Sequence, residues 1–254
     1  MSDGSLSIRA RIREASNATF LADLDGEPVV YKPIEGERPL WDFPDGTLAD
    51  REVAAYLVSE AFGWDVVPPT WMGDGPFGRG MVQRWQEIDV EQDAVDLVPA
   101  DVTDTPEGAP PWLPVLEAID EQDRPVTLVH EDTAVLRRMA VFDVVVNNAD
   151  RKGGHVLAMP DGHRFGVDHG LTFHVEHKLR TVLWGWIGEP LDPDELEGLD
   201  RVSDALRGDL GAALDEHLTV AEVDTLRARI AALRAVGVFP PPPGHGPAVP
   251  WPLF

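Results

Sequence analysis

The sequence predicts an α+β fold of two lobes, in which an antiparallel-sheet N-lobe carries one main helix and the C-lobe is mostly helical. Strand-like segments separated by turn residues fill most of the chain up to residue 85, whereas residues 194–236 place apolar side chains at helical spacing. With 254 residues, 43% of them hydrophobic, the chain can bury a sizeable core. We therefore expect an N-lobe over residues 1–85 and a C-lobe over residues 86–254.

The N-lobe is predicted to contain five strands and one helix. Strand patterns cover residues 6–13, 19–24, 28–32, 66–72 and 79–85. Residues 33–46 hold three prolines and two glycines, which is typical of a loop. A helix begins after Thr47, where a capping-box-like pattern occurs, and ends at Gly63.

The C-lobe begins with an acidic, proline-punctuated segment over residues 86–111, which suits a mobile connection or a surface insertion. Residues 115–119 and 125–129 can pair as a hairpin, and residues 131–147 are predicted to be helical. A second capping box, Thr219 with Glu222, supports the helical tail.

The proline-rich end that starts at Phe239 has two interpretations. It is either a ligand for the aromatic groove of a partner protein or a strap packed on its own domain through Trp251 and Phe254.

Composition excludes several functions. Forty-five acidic residues against 21 basic ones give a net charge of −24, which repels nucleic acid and anionic membrane surfaces. The absence of cysteine excludes disulfides, thiolate metal sites and thiol catalysis. No stretch is long and apolar enough to span a membrane, and the first residues lack a signal-peptide pattern, so we expect a cytoplasmic protein without integral membrane association.

The most informative segment runs from Asn147 to Gly170. A two-residue turn at Asp161 and Gly162 predicts a hairpin in which facing residues have numbers that sum to 323, so that His155 faces Asp168. Their Cβ atoms would then lie roughly 5 Å apart, which suits shared ligation of one cation.

Asp150 precedes His155 by five residues, and two intervening glycines allow the chain to return its carboxylate to the same cleft. Taken singly, each of these three residues can instead be structural: Asp150 and Asp168 in turns and His155 in the core.

At these residues the sequence resembles the phosphatidylinositol 3- and 4-kinase superfamily, in particular its small bacterial kinase-like members. Residues 147–155 are similar to the catalytic Asp-Arg-His-x-x-Asn loop, and residues 167–170 to the metal-binding Asp-Phe-Gly-like segment. The strand that carries Lys32 resembles the one whose lysine holds nucleotide phosphates, and Glu52 resembles the helix glutamate that positions this lysine. The resemblance covers most of the chain and implies a two-lobed protein-kinase-like fold.

The resemblance also implies roles and cofactors. ATP would be bound with Mg²⁺ or Mn²⁺, which His155 and Asp168 would hold, while Asp150 would act as the catalytic base. Besides Lys32 and Glu52, the residues implied in nucleotide binding lie in a phosphate-covering loop and in a hinge over residues 81–85. They are Ser16, Asn17, Gln83, Arg84 and Trp85.

Two positions depart from the family pattern. His155 replaces the usual asparagine ligand, and imidazole suits manganese or zinc better than magnesium. Lys152 replaces the loop histidine, where it would either neutralise the transferred phosphoryl group or pair with a surface carboxylate.

Three functional hypotheses follow. The leading one is a kinase that transfers phosphate to a hydroxyl of a protein or a small molecule, in preference to a lipid because of the acidic surface. The second is a nucleotide-binding pseudokinase that acts as a regulatory partner. The third is a metal-dependent hydrolase built on Asp168 and the five histidines at positions 155, 163, 169, 174 and 177.

Trp184 and Trp186 follow the metal segment, where kinases place the loop that meets the acceptor. They would either recognise the substrate or belong to the core.

Overall fold

A five-stranded antiparallel sheet occupies the first part of the chain. The computed structural model describes residues 6–12, 17–38, 40, 43, 47–102, 105, 108–244 and 246–254. The sheet has the strand order β1, β2, β3, β5, β4. Its strands are Leu6–Ile12 (β1), Thr19–Leu24 (β2), Glu27–Pro33 (β3), Thr70–Gly75 (β4) and Gly78–Arg84 (β5).

Strand β4 starts four residues later than predicted, at Thr70, and extends into the segment predicted as a turn. Pro68 and Pro69 explain the late start, because proline has no backbone N–H to donate to a sheet.

One helix, Leu48–Phe62 (α1), follows β3 and the loop after it, and both predicted boundaries are confirmed. The hydroxyl of Thr47 accepts a hydrogen bond from the Asp50 N–H. Gly63 ends the helix with a φ of 68°, a left-handed conformation that favours glycine. The carboxylate of Glu37 accepts two more hydrogen bonds, from the N–H groups of Leu48 and Ala49. The contacts of Thr47 and Glu37 hold the start of α1 in place.

The segment after residue 85 contains a strand that the sequence analysis missed. Val95–Pro99 (β6) pairs with Pro125–Glu131 (β8), which also pairs with Trp112–Ile119 (β7). The predicted β7–β8 hairpin is therefore confirmed, but part of residues 86–111 is the edge of its sheet and not a plain connection. An edge strand buries only part of its surface and therefore needs few apolar residues. The acidic residues and prolines of this segment thus obscured the strand pattern in the sequence.

Four further α-helices occur in the part of the chain that the structure describes, as expected for a mostly helical second half. They are Ala134–Val146 (α2), Pro193–Ala205 (α3), Asp209–Leu214 (α4) and Val220–Val236 (α5). The helix predicted from residue 131 begins at Ala134, because Thr133 caps it by accepting from the Leu136 N–H. The capping box of Thr219 and Glu222 is confirmed.

The buried apolar side chains form two clusters. The larger one unites α1 with the later helices and includes Phe62, Phe142 and Leu199. The smaller one lies on the five-stranded sheet around Tyr31 and Val82. Among the described residues, no helix is both long enough and apolar enough to cross a membrane.

A short hairpin of Val156–Ala158 (β9) and Arg164–Gly166 (β10) carries the predicted metal segment, but its register differs from the prediction. Arg164 pairs with Ala158, so facing residues sum to 322 and His155 faces Val167 instead of Asp168. The turn has three residues, Pro160 to Gly162, and Gly162 has a φ of 87°. Three-residue turns of this type are the second common solution for an Asp-Gly sequence.

The proline-rich end packs on its own domain, as one of the two interpretations expected. One predicted anchor is present, because the half-exposed Phe254 ring lies against Gly153. The other is wrong: Trp251 is 86% exposed, and Leu253 is buried in the larger core instead. Trp184 and Trp186 are both buried, so they belong to the core.

A buried histidine gives the fold a testable pH dependence. His130 donates from Nδ1 to the Glu131 carbonyl, and its Nε2 accepts from the Gly185 N–H at 2.9 Å. Burial lowers its pKa from 6.5 to about 4, against the opposing effects of the Glu131 carbonyl and Asp132. Since the unfolded chain then binds the proton more tightly, the stabilisation is present above pH 6.5 and is lost as the pH falls towards 4.

We expect the free energy of unfolding to fall by about 3 kcal/mol over this range through His130 alone. Urea unfolding of the wild type and of His130→Gln at pH 7, 5.5 and 4.5 measures this contribution, because glutamine does not titrate. Parallel pH profiles for the two proteins would contradict it.

Candidate active site

Lys32 lies between two carboxylates that come from distant parts of the chain. Its Nζ is 2.6 Å from Oε1 of Glu52 and 2.7 Å from Oδ1 of Asp168. Lys32 sits in β3, Glu52 in the second turn of α1, and Asp168 two residues after β10. The predicted pairing of Lys32 with Glu52 is thus present as a contact, and Asp168 joins it.

The three groups differ in exposure and in pKa. Burial would lower the pKa of Lys32, but the two carboxylates outweigh it and raise the pKa well above its ordinary value. Lys32 lowers the pKa of Asp168 well below its ordinary value, against burial. Burial raises the pKa of Glu52, against the effect of Lys32. The Asp168 side chain is half-exposed, so this carboxylate is the one that a ligand can reach.

Asp168 adopts a left-handed backbone conformation, with a φ of 60°. Residues other than glycine seldom do so, and such residues concentrate at functional sites. This turn of the chain directs the carboxylate towards His155 despite the shifted register, and His155 Nε2 lies 3.5 Å from Oδ2 of Asp168. The predicted meeting of these two side chains is therefore observed, although the predicted pairing that was to produce it is wrong.

His155 is held as a neutral imidazole with a free ring nitrogen facing Asp168. Its Nδ1 lies 2.9 Å from the carbonyl oxygen of Asp150, so that nitrogen carries the proton. Burial lowers the pKa of His155 to about 4; Asp168 opposes this change, and Arg151 and Lys152 add to it. A metal-binding histidine commonly has this arrangement, in which one nitrogen donates to a carbonyl and the other keeps its lone pair.

Asp150 and Lys152 form the other side of the site. Lys152 Nζ lies 3.4 Å from Oδ2 of Asp150, and both side chains are mostly buried. Burial raises the pKa of Asp150 above its ordinary value, while Lys152 opposes the change. The Asp150 N–H donates to the side-chain oxygen of Asn148, which fixes the start of the loop.

A buried ion pair that the sequence analysis missed supports this loop. Arg151 binds the Asp143 carboxylate of α2 in a bidentate manner, with Nε 3.0 Å from Oδ2 and Nη2 2.9 Å from Oδ1, and both side chains are fully buried. Arg151 also donates to the carbonyl oxygens of His155 and Val167. An aspartate within the otherwise apolar stretch of residues 139–146 was the available signal.

Arg51, which precedes Glu52, connects helix α1 to α5 and to the segment around Thr172. The Arg51 guanidinium pairs with Glu222 of α5 at 2.5 Å and donates to the Thr172 carbonyl at 2.7 Å. Arg51 and Glu222 are both buried, so this contact locks the rotation of α1 about its axis.

The residues expected in the phosphate-covering loop and the hinge are not brought together around Lys32. Ser16 lies outside the described residues, and Asn17 accepts from the Arg38 N–H. Gln83 is buried and donates to Thr70, so its side chain is occupied within the sheet. Arg84 is exposed.

The last hinge residue, Trp85, donates its N–H to the Pro28 carbonyl at 3.1 Å. None of these contacts brings the hinge side chains to Lys32.

The histidines of the hydrolase hypothesis do not cluster. His163 contacts the Asp65 carbonyl at the surface, whereas His169 is buried and accepts from Arg151 at 2.6 Å. His174 lies against Phe43. Within the described ranges, no group of three or more histidines and carboxylates is arranged to hold a metal ion.

With this geometry established, comparison with known proteins gives one strong match. The chain is 51% identical over 264 residues to protein Rv2133c of Mycobacterium tuberculosis (strain ATCC 25618 / H37Rv), with all of this chain and 94% of the relative covered. The chain belongs to the Rv2133c family. That name describes no activity, and no protein-family profile matches the sequence.

Solved structures identify the fold of this Rv2133c family member. The Golgi casein kinase matches with a TM-score of 0.52 and 13% identity over 91% of this chain and 71% of the kinase chain. The Helicobacter pylori proinflammatory kinase CtkA matches with a TM-score of 0.47 and 12% identity over 93% of this chain and 94% of the other. The predicted two-lobed kinase-like fold is confirmed, whereas the narrower resemblance to the phosphatidylinositol kinases stays a prediction.

The buried Arg151–Asp143 pair should contribute measurably to the free energy of unfolding of this Rv2133c-family protein. Replacing Asp143 by Asn leaves a buried guanidinium without its counter-charge, and we expect a loss of about 3–5 kcal/mol in the free energy of unfolding. Asp204→Asn, which removes an exposed partner of Arg207, is the matched control and should change stability by less than about 1 kcal/mol. Chemical denaturation measures both, and equal effects would contradict the assignment.

Proposed function

We propose that the protein is an ATP-dependent phosphotransferase that moves a phosphoryl group to a hydroxyl of a protein or a small molecule. The observation that carries this proposal is the convergence of Lys32, Glu52 and Asp168 from three separate elements, beside Asp150 and His155. A kinase needs these parts: a cation for the phosphates, a group to orient it, a metal-binding carboxylate and a base. The fold shared with the Golgi casein kinase supports the same conclusion.

The charges of the site favour use of a divalent cation. Two ammonium groups, Lys32 and Lys152, stand against three carboxylates, Glu52, Asp150 and Asp168, and His155 is neutral. A triphosphate would meet a net negative site unless a cation accompanied it. ATP binding should therefore depend strictly on Mg²⁺ or Mn²⁺.

The donor set fits such a cation. His155 offers the lone pair of Nε2, and Asp168 offers an exposed carboxylate 3.5 Å away. A bound Mg²⁺ or Mn²⁺ would neutralise phosphate charge. His155 and Asp168 would hold it, and a site with so few protein ligands leaves positions for phosphate oxygens.

The remaining groups have distinct roles in this proposal. Lys32 binds the phosphates and Glu52 orients it. Asp150 accepts the proton of the acceptor hydroxyl, which suits a carboxylate whose pKa burial has raised. Lys152, next to Asp150, stabilises charge on the transferred phosphoryl group.

The adenine would lie at the junction of an N-lobe over residues 1–85 and a C-lobe over residues 86–254. Backbone groups near Gln83, Arg84 and Trp85 would line its pocket, since the Gln83 side chain is already bonded to Thr70. Ser16 and Asn17 would cover the phosphates.

A nucleotide-binding pseudokinase is the second candidate, and one observation favours it. Lys32 contacts Asp168 as closely as it contacts Glu52, so the lysine and the metal-binding carboxylate neutralise each other. Such a protein would bind ATP as a regulatory partner without transfer. It predicts thermal stabilisation by ATP together with an absence of phosphate release or transfer.

The first prediction of the kinase proposal concerns Asp150 and Asp168. Asp150→Ala should lower kcat by about 100- to 10,000-fold and keep the thermal shift with ATP and Mn²⁺, because the base acts on the acceptor. Asp168→Asn should abolish both. Labelled ATP with Mn²⁺ or Mg²⁺, with and without lysate, measures transfer, and Asp224→Asn on the exposed side of α5 is the control. Wild-type ATP binding without transfer under every condition would favour the pseudokinase.

The second prediction concerns the choice of metal. His155→Asn replaces an imidazole nitrogen with an amide oxygen, which should shift the ratio of Mn²⁺ to Mg²⁺ affinity towards Mg²⁺ by about tenfold. Titrating each metal against the ATP-dependent thermal shift gives the two affinities. An unchanged ratio would show that His155 is not a ligand.

A further inference from the structure

The end of the chain crosses the loop that carries Asp150 and His155. We define the strap as residues 246–254. The Ala248 carbonyl accepts from the Thr181 N–H at 3.2 Å and from the Trp184 indole N–H at 2.9 Å. Further along, the Leu253 carbonyl accepts from the Gly153 N–H at 2.8 Å. The strap is thus hydrogen-bonded at one end to the segment that follows the β9–β10 hairpin, and at the other end to the loop that contains Gly153.

The ring of Phe254 lies directly on Gly153. A Cβ placed on Gly153 would be 2.2 Å from Cε1 of Phe254, so no larger residue fits there while the ring stays. At Gly154 the nearest atom to such a Cβ is 3.9 Å away, so that position has room. A side chain at Gly153, unlike one at Gly154, would therefore displace the Phe254 ring.

The rest of the loop is held from the opposite side. The Arg151 N–H donates to the Arg180 carbonyl, and the Val182 N–H donates to the Arg151 carbonyl, both at 3.1 Å. The hairpin end is held where the Val167 N–H donates to the His155 carbonyl. Between these anchors, the described residues offer the backbone of Lys152, Gly153 and Gly154 one hydrogen bond to a distant part of the chain, the bond to Leu253. The strap is the element that closes this gap.

We infer that the strap is a positioning element for the loop, with Phe254 and the Leu253 carbonyl fixing Gly153 and thereby the placement of Lys152. This inference rests on the proposed phosphotransferase activity. Within the described ranges, no hydrogen bond or ion pair joins either strap residue to Lys32, Glu52 or Asp168, so the strap should affect transfer more than ATP affinity.

Phe254 is the residue to change, because it is 48% exposed whereas Leu253 is buried in the core. Phe254→Ala should speed amide exchange at Gly153 by about tenfold or more, since the N–H loses its cover. It should lower kcat by about 10- to 100-fold with an unchanged KM for ATP. Phe254→Tyr, which keeps the ring, should restore both. Trp251→Phe trims an exposed strap side chain and should change neither.

The glycines give a second, independent test. Gly153→Ala should displace the ring and raise exchange in residues 248–254, whereas Gly154→Ala should leave strap exchange as in the wild type. Adding Phe254→Ala to Gly153→Ala should cost no more than Gly153→Ala alone, because both changes remove the same contact.

The exchange data judge the strap separately from the proposed function. A wild type that transfers no phosphate would end the kinase proposal, while Gly153 exchange would still report on the strap. Unchanged exchange at Gly153 in Phe254→Ala would overturn the inference, as would an equal loss of kcat in Trp251→Phe. A rise in KM without a fall in kcat would overturn it as well.

Discussion

The buried pair of Arg151 and Asp143 is the contact on which the site depends. A guanidinium and a carboxylate are stable away from water only when they face each other and their remaining donors are satisfied. Arg151 meets this condition by binding Asp143 of α2, the carbonyls of His155 and Val167 that flank the β9–β10 hairpin, and the ring of His169 at once. Asp150 and Lys152, two of the proposed functional groups, are adjacent to Arg151 in the sequence. The position of Arg151 therefore determines where these two residues lie.

Local backbone geometry then completes what this pair begins. The left-handed residue Asp168 reverses the direction of its side chain within a single position, which brings its carboxylate to both Lys32 and His155. The hairpin alone would not do this, since its register places Val167 opposite His155. The contact between Asp168 and His155, which the sequence analysis attributed to strand pairing, thus depends on the backbone conformation of Asp168.

The features that could be predicted from sequence are mainly local ones. The caps Thr47 and Gly63 were readable because each acts within a few residues of itself. The hairpin turn was readable as a turn but not in length, because Asp-Gly occurs in both two- and three-residue turns.

The partners of Arg151 were not predicted, although Asp143 lies eight residues before it and the two carbonyls four and sixteen residues after it. These contacts depend on how the loop folds back on α2 and the hairpin, which no local pattern in the sequence indicates. Strand β6 was not recognised, because it lies at the edge of its sheet within an acidic, proline-containing segment. The kinase-like fold was predicted through motif resemblance, whereas the hinge side chains, whose partners lie across the sheet, were not.

The anchoring of α1 has a consequence for control of the protein. Many enzymes with a mobile helix at this place are switched on when the helix swings inward and its glutamate reaches the lysine. Here the residue next to Glu52 is clamped to α5 and to the Thr172 carbonyl, so an outward swing would expose a buried ion pair. The clamp therefore opposes any movement that would separate Glu52 from Lys32, and in the proposed kinase a helix that swings outward would first have to break the Arg51–Glu222 pair.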